Sequence, residues 1–193
     1  MVASTAAYEL RFDSGRICLD LLATAHPAER LGSTGALCAW LVGAGLVPAG
    51  SPLGRIDPAC LRHFRELRAD IDRLIRAEPA LDRRPVESAL ARINTRALGA
   101  PPAPRALLTE DGRLVRRLHT EPDCAGLIAA VARDLVELLT DPVAASCVRQ
   151  CEGDNCRLVY LDTSRGRRRR WCSSEVCGNR ERVARHRRRM SVT

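Results

Sequence analysis

Cys151-Glu152-Gly153-Asp154-Asn155-Cys156, fifteen intervening residues, then Cys172-Ser173-Ser174-Glu175-Val176-Cys177: the reading of this chain turns on that stretch. Two cysteine pairs at short spacing, separated by a loop, form the arrangement of a structural zinc site. Each pair closes a tight turn that aims two sulfurs at one point. Four thiolates fill a tetrahedral Zn2+ and leave no open position. A basic segment this short cannot bury a sufficient core alone, so a metal replaces one. Both pairs enclose four residues rather than the commoner two. Two disulfides, or a redox or iron–sulfur role, are the rival readings. Cys147, four residues before Cys151, is a competing ligand.

Between the pairs, Arg157–Leu161 alternates loosely and predicts a strand. Asp162–Gly166 predicts a turn, and Arg168–Trp171 a returning strand. After Cys172, Ser173 or Ser174 is placed to cap a helix that holds Cys177 in its first turn. A knuckle, a hairpin and a helix carrying the last ligand make a treble-clef-like Zn(Cys)4 finger. Trp171 and Tyr160 are expected to pack in its core.

The charge distribution isolates the same segment. Residues 1–148 carry eighteen arginines against eighteen acids, while residues 149–193 carry thirteen against five, so the tail holds the whole net charge of +8. All 31 basic residues are arginine, the side chain suited to bidentate phosphate and guanine contacts. Arg167, Arg168, Arg169 and Arg170 fall on the expected hairpin arm. Arg182, Arg185 and Arg189 share one face of the expected helix, and Arg187 and Arg188 extend the run. A neutral body joined to a basic metal module reads as a polyanion-binding protein.

The body reads as helical. Ile17, Leu21 and Thr24 share a face around Arg16–Thr24. Ser33 or Thr34 caps a second helix through Leu37, Trp40, Leu41 and Ala44, which Gly45 ends. Asp57 caps a third, striped by Leu61, Phe64, Leu67, Ile71, Leu74 and Ile75 and stopped at Pro79. A fourth opens near Pro85 with Val86, Leu90, Ile93 and Ala97 on one face. A hairpin pairs residues 106–109 with 113–118 around a two-residue Asp111-Gly112 turn. A last helix follows Asp123, and a short helical turn runs through Val143–Val148. The class is mainly α (α+β).

Cys18, Cys38, Cys60, Cys124 and Cys147 are scattered, and read as small hydrophobes of the core in a reducing, cytoplasmic compartment. His26, His63 and His119 stand apart, with His63 and Glu66 forming a surface pair. No HExxH, phosphate loop or GxSxG occurs, so no enzyme is expected. No apolar run is long enough for a membrane span.

Leu161-Asp162-Thr163-Ser164-Arg165, then Arg170-Trp171-Cys172-Ser173, then Cys177-Gly178-Asn179-Arg180 closely resemble the CGNR zinc finger family over residues 148–190. Gly15–Thr24 and Leu37–Leu46 resemble, more loosely, the ABATE domain that usually precedes that finger. The family commonly has Asn where this chain has Ala23, which puts in doubt a ligand pocket built on that Asn. The resemblance implies a bacterial stress-related transcription regulator, with RNA binding also described for the family. The expected organisation is a helical domain over 1–146 and a finger over 147–193. Zn2+ is the expected cofactor, held by Cys151, Cys156, Cys172 and Cys177. The expected partner is DNA, with structured RNA as the alternative. The body is expected to sense a small-molecule effector or to form a homodimer. Asn179 and Arg180 either contact nucleic acid or support the zinc site.

Overall fold

A computed structural model of the chain describes residues 10–77 and 83–190, apart from the side chains at 185, 186, 188 and 189. Pro79, expected to stop the third helix, lies outside the described residues.

Three of the long helices start at side-chain caps. Ser33 Oγ accepts from Ala36 N at 3.1 Å ahead of α2 (Thr34–Gly43). Asp57 accepts from Cys60 N at 2.7 Å ahead of α3 (Pro58–Ile75). Asp123 accepts from Gly126 N at 2.8 Å ahead of α5 (Cys124–Thr140). The first helix, α1 (Ile17–Ala23), has no such cap. Arg16 in front of it pairs instead with Asp134 at 2.9 Å and Glu137 at 3.1 Å, which fastens α1 across α5.

α4 (Arg83–Ala97) packs on α3 and α5. Its inward face is Ala89 and Ile93, whereas Leu90, expected inside, is 43% exposed. Arg92 and Arg96 each reach the buried Asp70 carboxylate of α3 at 2.6 Å, and those ties set the rotation of α4. The body core is aliphatic, with Trp40 and Phe64 packed edge-on at 5.9 Å. Each fully buried Leu or Ile there contributes roughly 1.5–3 kcal/mol.

The hairpin pairs β1 (Pro104–Leu108) with β2 (Leu114–Leu118), antiparallel. Its turn differs from the expected one. Thr109 N donates to Arg113 O at 2.8 Å, leaving Glu110, Asp111 and Gly112 as a three-residue loop with Gly112 at φ +78°. The helical turn expected at Val143–Val148 is shorter: α6 spans Pro142–Ala145, capped by Asp141.

Cys18, Cys60 and Cys147 are buried, as core cysteines should be. Cys60 and Cys124, however, are paired as a disulfide with Cα atoms 5.6 Å apart, not as two free thiols. The capped first turns of α3 and α5 bring them together.

In the finger, β4 (Val159–Leu161) is the expected strand, but its partner is not Arg168–Trp171. It pairs with β3 (Val148–Gln150), antiparallel, in the register Val148↔Leu161 and Gln150↔Val159. Residues 168–171 run as irregular chain, held by Glu152 N to Arg170 O at 2.9 Å and Tyr160 Oη to Arg169 O at 2.5 Å. The backbone of this segment bonds to the first cysteine turn, at Glu152, instead of forming a ladder with β4. α7 (Cys177–Met190) completes the finger.

Body and finger share a junction. Val159 is buried in the main core, and Leu161 N donates to Ser14 O at 2.8 Å. Gly15 sits at φ +89°, where a Cβ would stand 3.0 Å from Leu161 Cβ, so only glycine lets the two segments meet. The chain is thus mainly α with some β, and ends in a four-cysteine cluster.

Candidate metal centre and nucleic-acid interface

Cys151 and Cys156 flank a turn closed by Cys156 N donating to Gly153 O at 3.0 Å, with Asn155 at φ 59°. Asn tolerates that left-handed conformation better than most residues. The four-residue insert therefore accommodates one tight turn and still returns both sulfurs to one point. Gly153 is demanded by close approach: a Cβ there would lie 3.2 Å from Cys177 Cβ. On the second side, Ser173 Oγ accepts from Val176 N at 3.2 Å and Ser173 O accepts from Gly178 N at 3.0 Å. That turn leads Cys177 into the first position of α7.

The four sulfurs all lie within 4.8 Å of one another. Zn–S bonds of about 2.3 Å set tetrahedral corners about 3.8 Å apart. Cys156 Sγ stands 3.8 Å from Cys172 Sγ, which stands 3.7 Å from Cys177 Sγ. The donor set and its spacing fit Zn2+, and Cys147 is not in the group. Cys172 N at 3.3 Å and Gly153 N at 3.5 Å both donate to Cys151 Sγ, as befits a thiolate acceptor.

The electrostatics agree. The hydrogen bond with Cys156 pulls the Cys172 thiol down to about 5, aided by the Arg11 guanidinium. The same bond pushes Cys156 well up, and burial takes Cys177 up to about 11. Thiols this crowded ionise together only around a cation. A saturated thiolate site of this kind is structural: it supplies folding energy and no open coordination position.

Arg11 has no counterpart in the sequence reading. Its Nη1 donates to Cys172 Sγ at 3.3 Å, its Nη2 reaches Cys172 O at 3.4 Å, and Asp13 holds it at 2.6 Å. Nothing local in Leu10-Arg11-Phe12-Asp13 announces a partner 161 residues away. Asp162 was likewise visible only as a motif letter. Buried to 1% exposure, it accepts from Ser164 N, Ser164 Oγ and Arg169 N, and so shapes the loop between the knuckles. The Ser164 hydroxyl holds its carboxyl below the usual range.

The basic residues divide by what they touch. Arg169 is built into the finger: it donates to Trp171 O at 2.8 Å and to Cys172 O, and lies 4.6 Å over the Tyr160 ring. Arg170 pairs with Glu152 at 2.6 Å and lies 5.1 Å over Trp171. Arg167 and Arg168 are exposed, and their side chains carry no partner among the described residues. Trp171 packs against the zinc-side cluster and over Gly178, and Tyr160 is fully buried there.

Asn179 and Arg180 are exposed, and neither side chain bonds a cysteine sulfur or a knuckle carbonyl. Arg182 is exposed, with Nη2 on Ser174 O at 3.2 Å, and Arg187 is exposed. Arg185, Arg188 and Arg189 lie on α7, but their side chains are outside the described residues. Arg168, Arg170, Trp171 and Ser173 line a surface cleft of about 470 Å³, yet Asp13 and Glu175 line it too, so its charge is mixed.

The segment Leu19–Thr24 is structural. Asp20 accepts from Ser14 N at 2.9 Å, Ala23 packs into the zinc-side cluster, and Thr24 Oγ1 accepts from Arg68 at 2.7 Å. Ala23 itself is buried.

Among the described residues, no helix is long and apolar enough to cross a membrane. Residues 15–142 match the ABATE family, described as "Putative stress-induced transcription regulator". Residues 148–190 match the CGNR zinc finger. No curated protein matches the chain.

Proposed function

From the premise that this chain belongs to the ABATE family and carries a CGNR zinc finger, we propose that it is a DNA-binding transcription regulator. The coarser statement, a regulatory zinc-finger protein, follows from the two families and the fitted zinc site. One observation carries the finer one. α7 leaves the zinc cluster as a basic arm on which Asn179, Arg180 and Arg187 are exposed, with no side-chain partner among the described residues.

Zinc holds the first turn of α7 through Cys177, and the body holds the zinc cluster through Arg11 and the Leu161–Ser14 bond. An α-helix fits the major groove of duplex DNA. In the proposed pose Asn179 and Arg180 meet base edges or phosphates, while Arg182, Arg185, Arg187, Arg188 and Arg189 meet phosphates. Arg167 and Arg168 reach a neighbouring strand from the loop. Arg169 and Arg170 position that loop rather than contact DNA. The body supplies dimerisation or effector sensing, and no catalysis is assigned to the closed zinc site. One finger covers only about 600–1,000 Å², so a specific regulator needs a second copy.

Crosslinking in the native host, with sequencing of the DNA and RNA recovered, tests this reading. Enrichment of a few promoter regions that share a motif supports it. Enrichment of transcripts or ribosomal RNA instead moves the finger to structured RNA. Recovery of neither removes nucleic acid as the partner.

A further inference from the structure

We propose that the open edge of β1 pairs with β1 of a second copy of this chain, joining two hairpins into one four-stranded antiparallel sheet. The proposal deepens the regulator reading, which calls for two copies, and names the surface that joins them.

The hairpin is underbuilt as it stands. Every residue of β1 is exposed, and only Leu118 of β2 is buried. A two-stranded ribbon is marginal in water, and three or more strands with an apolar face are needed for independent stability. Its two strands differ. β2 is tied to the body by its side chains, Arg116 donating to Gly45 O at 2.7 Å and Leu118 entering the core. Among the described residues, no strand pairs with β1 other than β2.

The ladder fixes which groups of β1 point outward. Thr109 N donates to Arg113 O at 2.8 Å and His119 N to Ala103 O at 3.0 Å, so odd-numbered residues bond inward to β2. Ala106 and Leu108 therefore turn their N–H and C=O groups away from it, and neither N–H has a partner among the described residues. Pro104 is also an outward position and has no N–H, so it bounds the edge at one end. The middle of the edge carries no charge, the device by which proteins usually guard one.

A second copy fits this edge in one register. With the two-fold axis at Leu107, Ala106 of each copy faces Leu108 of the other, and both outward N–H groups of both copies are satisfied. Leu107, 39% exposed, then meets Leu107 of the second copy. Val115 lies opposite Leu107 within each hairpin, so one face gains an unbroken row of Val115, Leu107, Leu107 and Val115 across four strands. On the other face Leu108 (71% exposed) and Leu114 (75%) gain a neighbour in Ala106 of the second copy. Charge complements the register. Arg105 has no side-chain partner among the described residues, and the loop after β1 of the second copy brings Asp111, which also pairs with its own Arg113 at 2.6 Å, diagonally toward it, within reach of a long side chain. Both pairs form by symmetry.

The test uses the full zinc-loaded chain in solution without nucleic acid, so it is independent of whether the finger binds DNA. Sedimentation velocity from about 1 μM to about 100 μM should show reversible dimerisation, the range expected of a small interface. Ala106→Pro removes one outward N–H and leaves the β1–β2 ladder intact, and should weaken the dimer at least about tenfold. Leu107→Asp puts like charges face to face at the axis and should do the same. Leu107→Cys should crosslink two copies under mild oxidation, because directly opposed Cα atoms there are about 4.5 Å apart, within disulfide reach. Leu114→Cys, one strand removed, should not. A monomer across the whole range overturns the proposal. So does a dimer that survives both Ala106→Pro and Leu107→Asp, or one that crosslinks equally through Leu114→Cys.

Discussion

Arg168 and Arg169 are adjacent in the chain and opposite in role. Arg169→Ala should destabilise the finger by about 2 kcal/mol, because it strips charged hydrogen bonds from Trp171 O and Cys172 O. Chelator competition should then extract zinc faster. Arg168→Ala should leave zinc retention unchanged and reduce the salt slope of DNA binding by about 1. Arg11→Met should lower zinc affinity about tenfold, as loss of a partner to a ligand does, measured by the same competition. Asp20 gives a pH signature. Burial pushes its carboxyl up to about 6, so the folded state binds its proton more tightly than the unfolded chain does. Its contribution is therefore largest below about pH 4, declines as pH rises to about 6, and is flat above. Asp20→Asn keeps the acceptor for Ser14 N and should raise stability by roughly 1–2 kcal/mol at about pH 8, with little change at about pH 4, read by thermal melts. At this scale the cysteine ligand set was legible because two tight turns write themselves as spacing. Arg11 and the split among Arg167–Arg170 were not, because contacts across the junction leave no local pattern.

The elements whose ends are chemical were read correctly: Ser33, Asp57 and Asp123 cap the helices they were expected to cap. Two readings failed because tertiary partners decided them. α4 turned so that Ala89 replaced Leu90 inside, under the pull of Asp70 on Arg92 and Arg96. β4 took β3 rather than Arg168–Trp171, because Val148–Gln150 runs antiparallel beside it while 168–171 meets β4 and its loop through the side chains of Tyr160 and Asp162. α7 carries its own prediction. Among its described side chains only Cys177 and Gly178 at its start are buried, and closely spaced arginines repel along its length. An isolated basic helix of this length is marginal, so its last turns should gain helicity when phosphates neutralise them. Far-UV circular dichroism on titration with duplex DNA should show a rise in helical signal beyond that of the separate components. An unchanged signal would mean α7 is already fully formed or does not bind.

Across the whole molecule, the finger is not a loose appendage. Val159 sits in the body's core, Gly15 packs under Leu161, and Arg11 holds the zinc-side cluster. Cys172→Ser should therefore release zinc and expose the amides of 151–156 and of residues beyond 162 to fast hydrogen exchange. β3, β4 and the Leu161 amide stay protected with the body. The charge asymmetry set the tail apart from the body in composition alone, whereas the shared core across the junction needed three dimensions. The central claim is that zinc presents α7 to DNA. It is tested most directly by the salt dependence of duplex binding for the zinc-loaded chain, its chelated form, and Arg180→Ala and Arg187→Ala variants. A steep slope that falls by about 1 for each arginine removed, with binding lost on chelation, is the predicted result. A slope indifferent to α7 arginines, or binding that survives zinc removal, would contradict it.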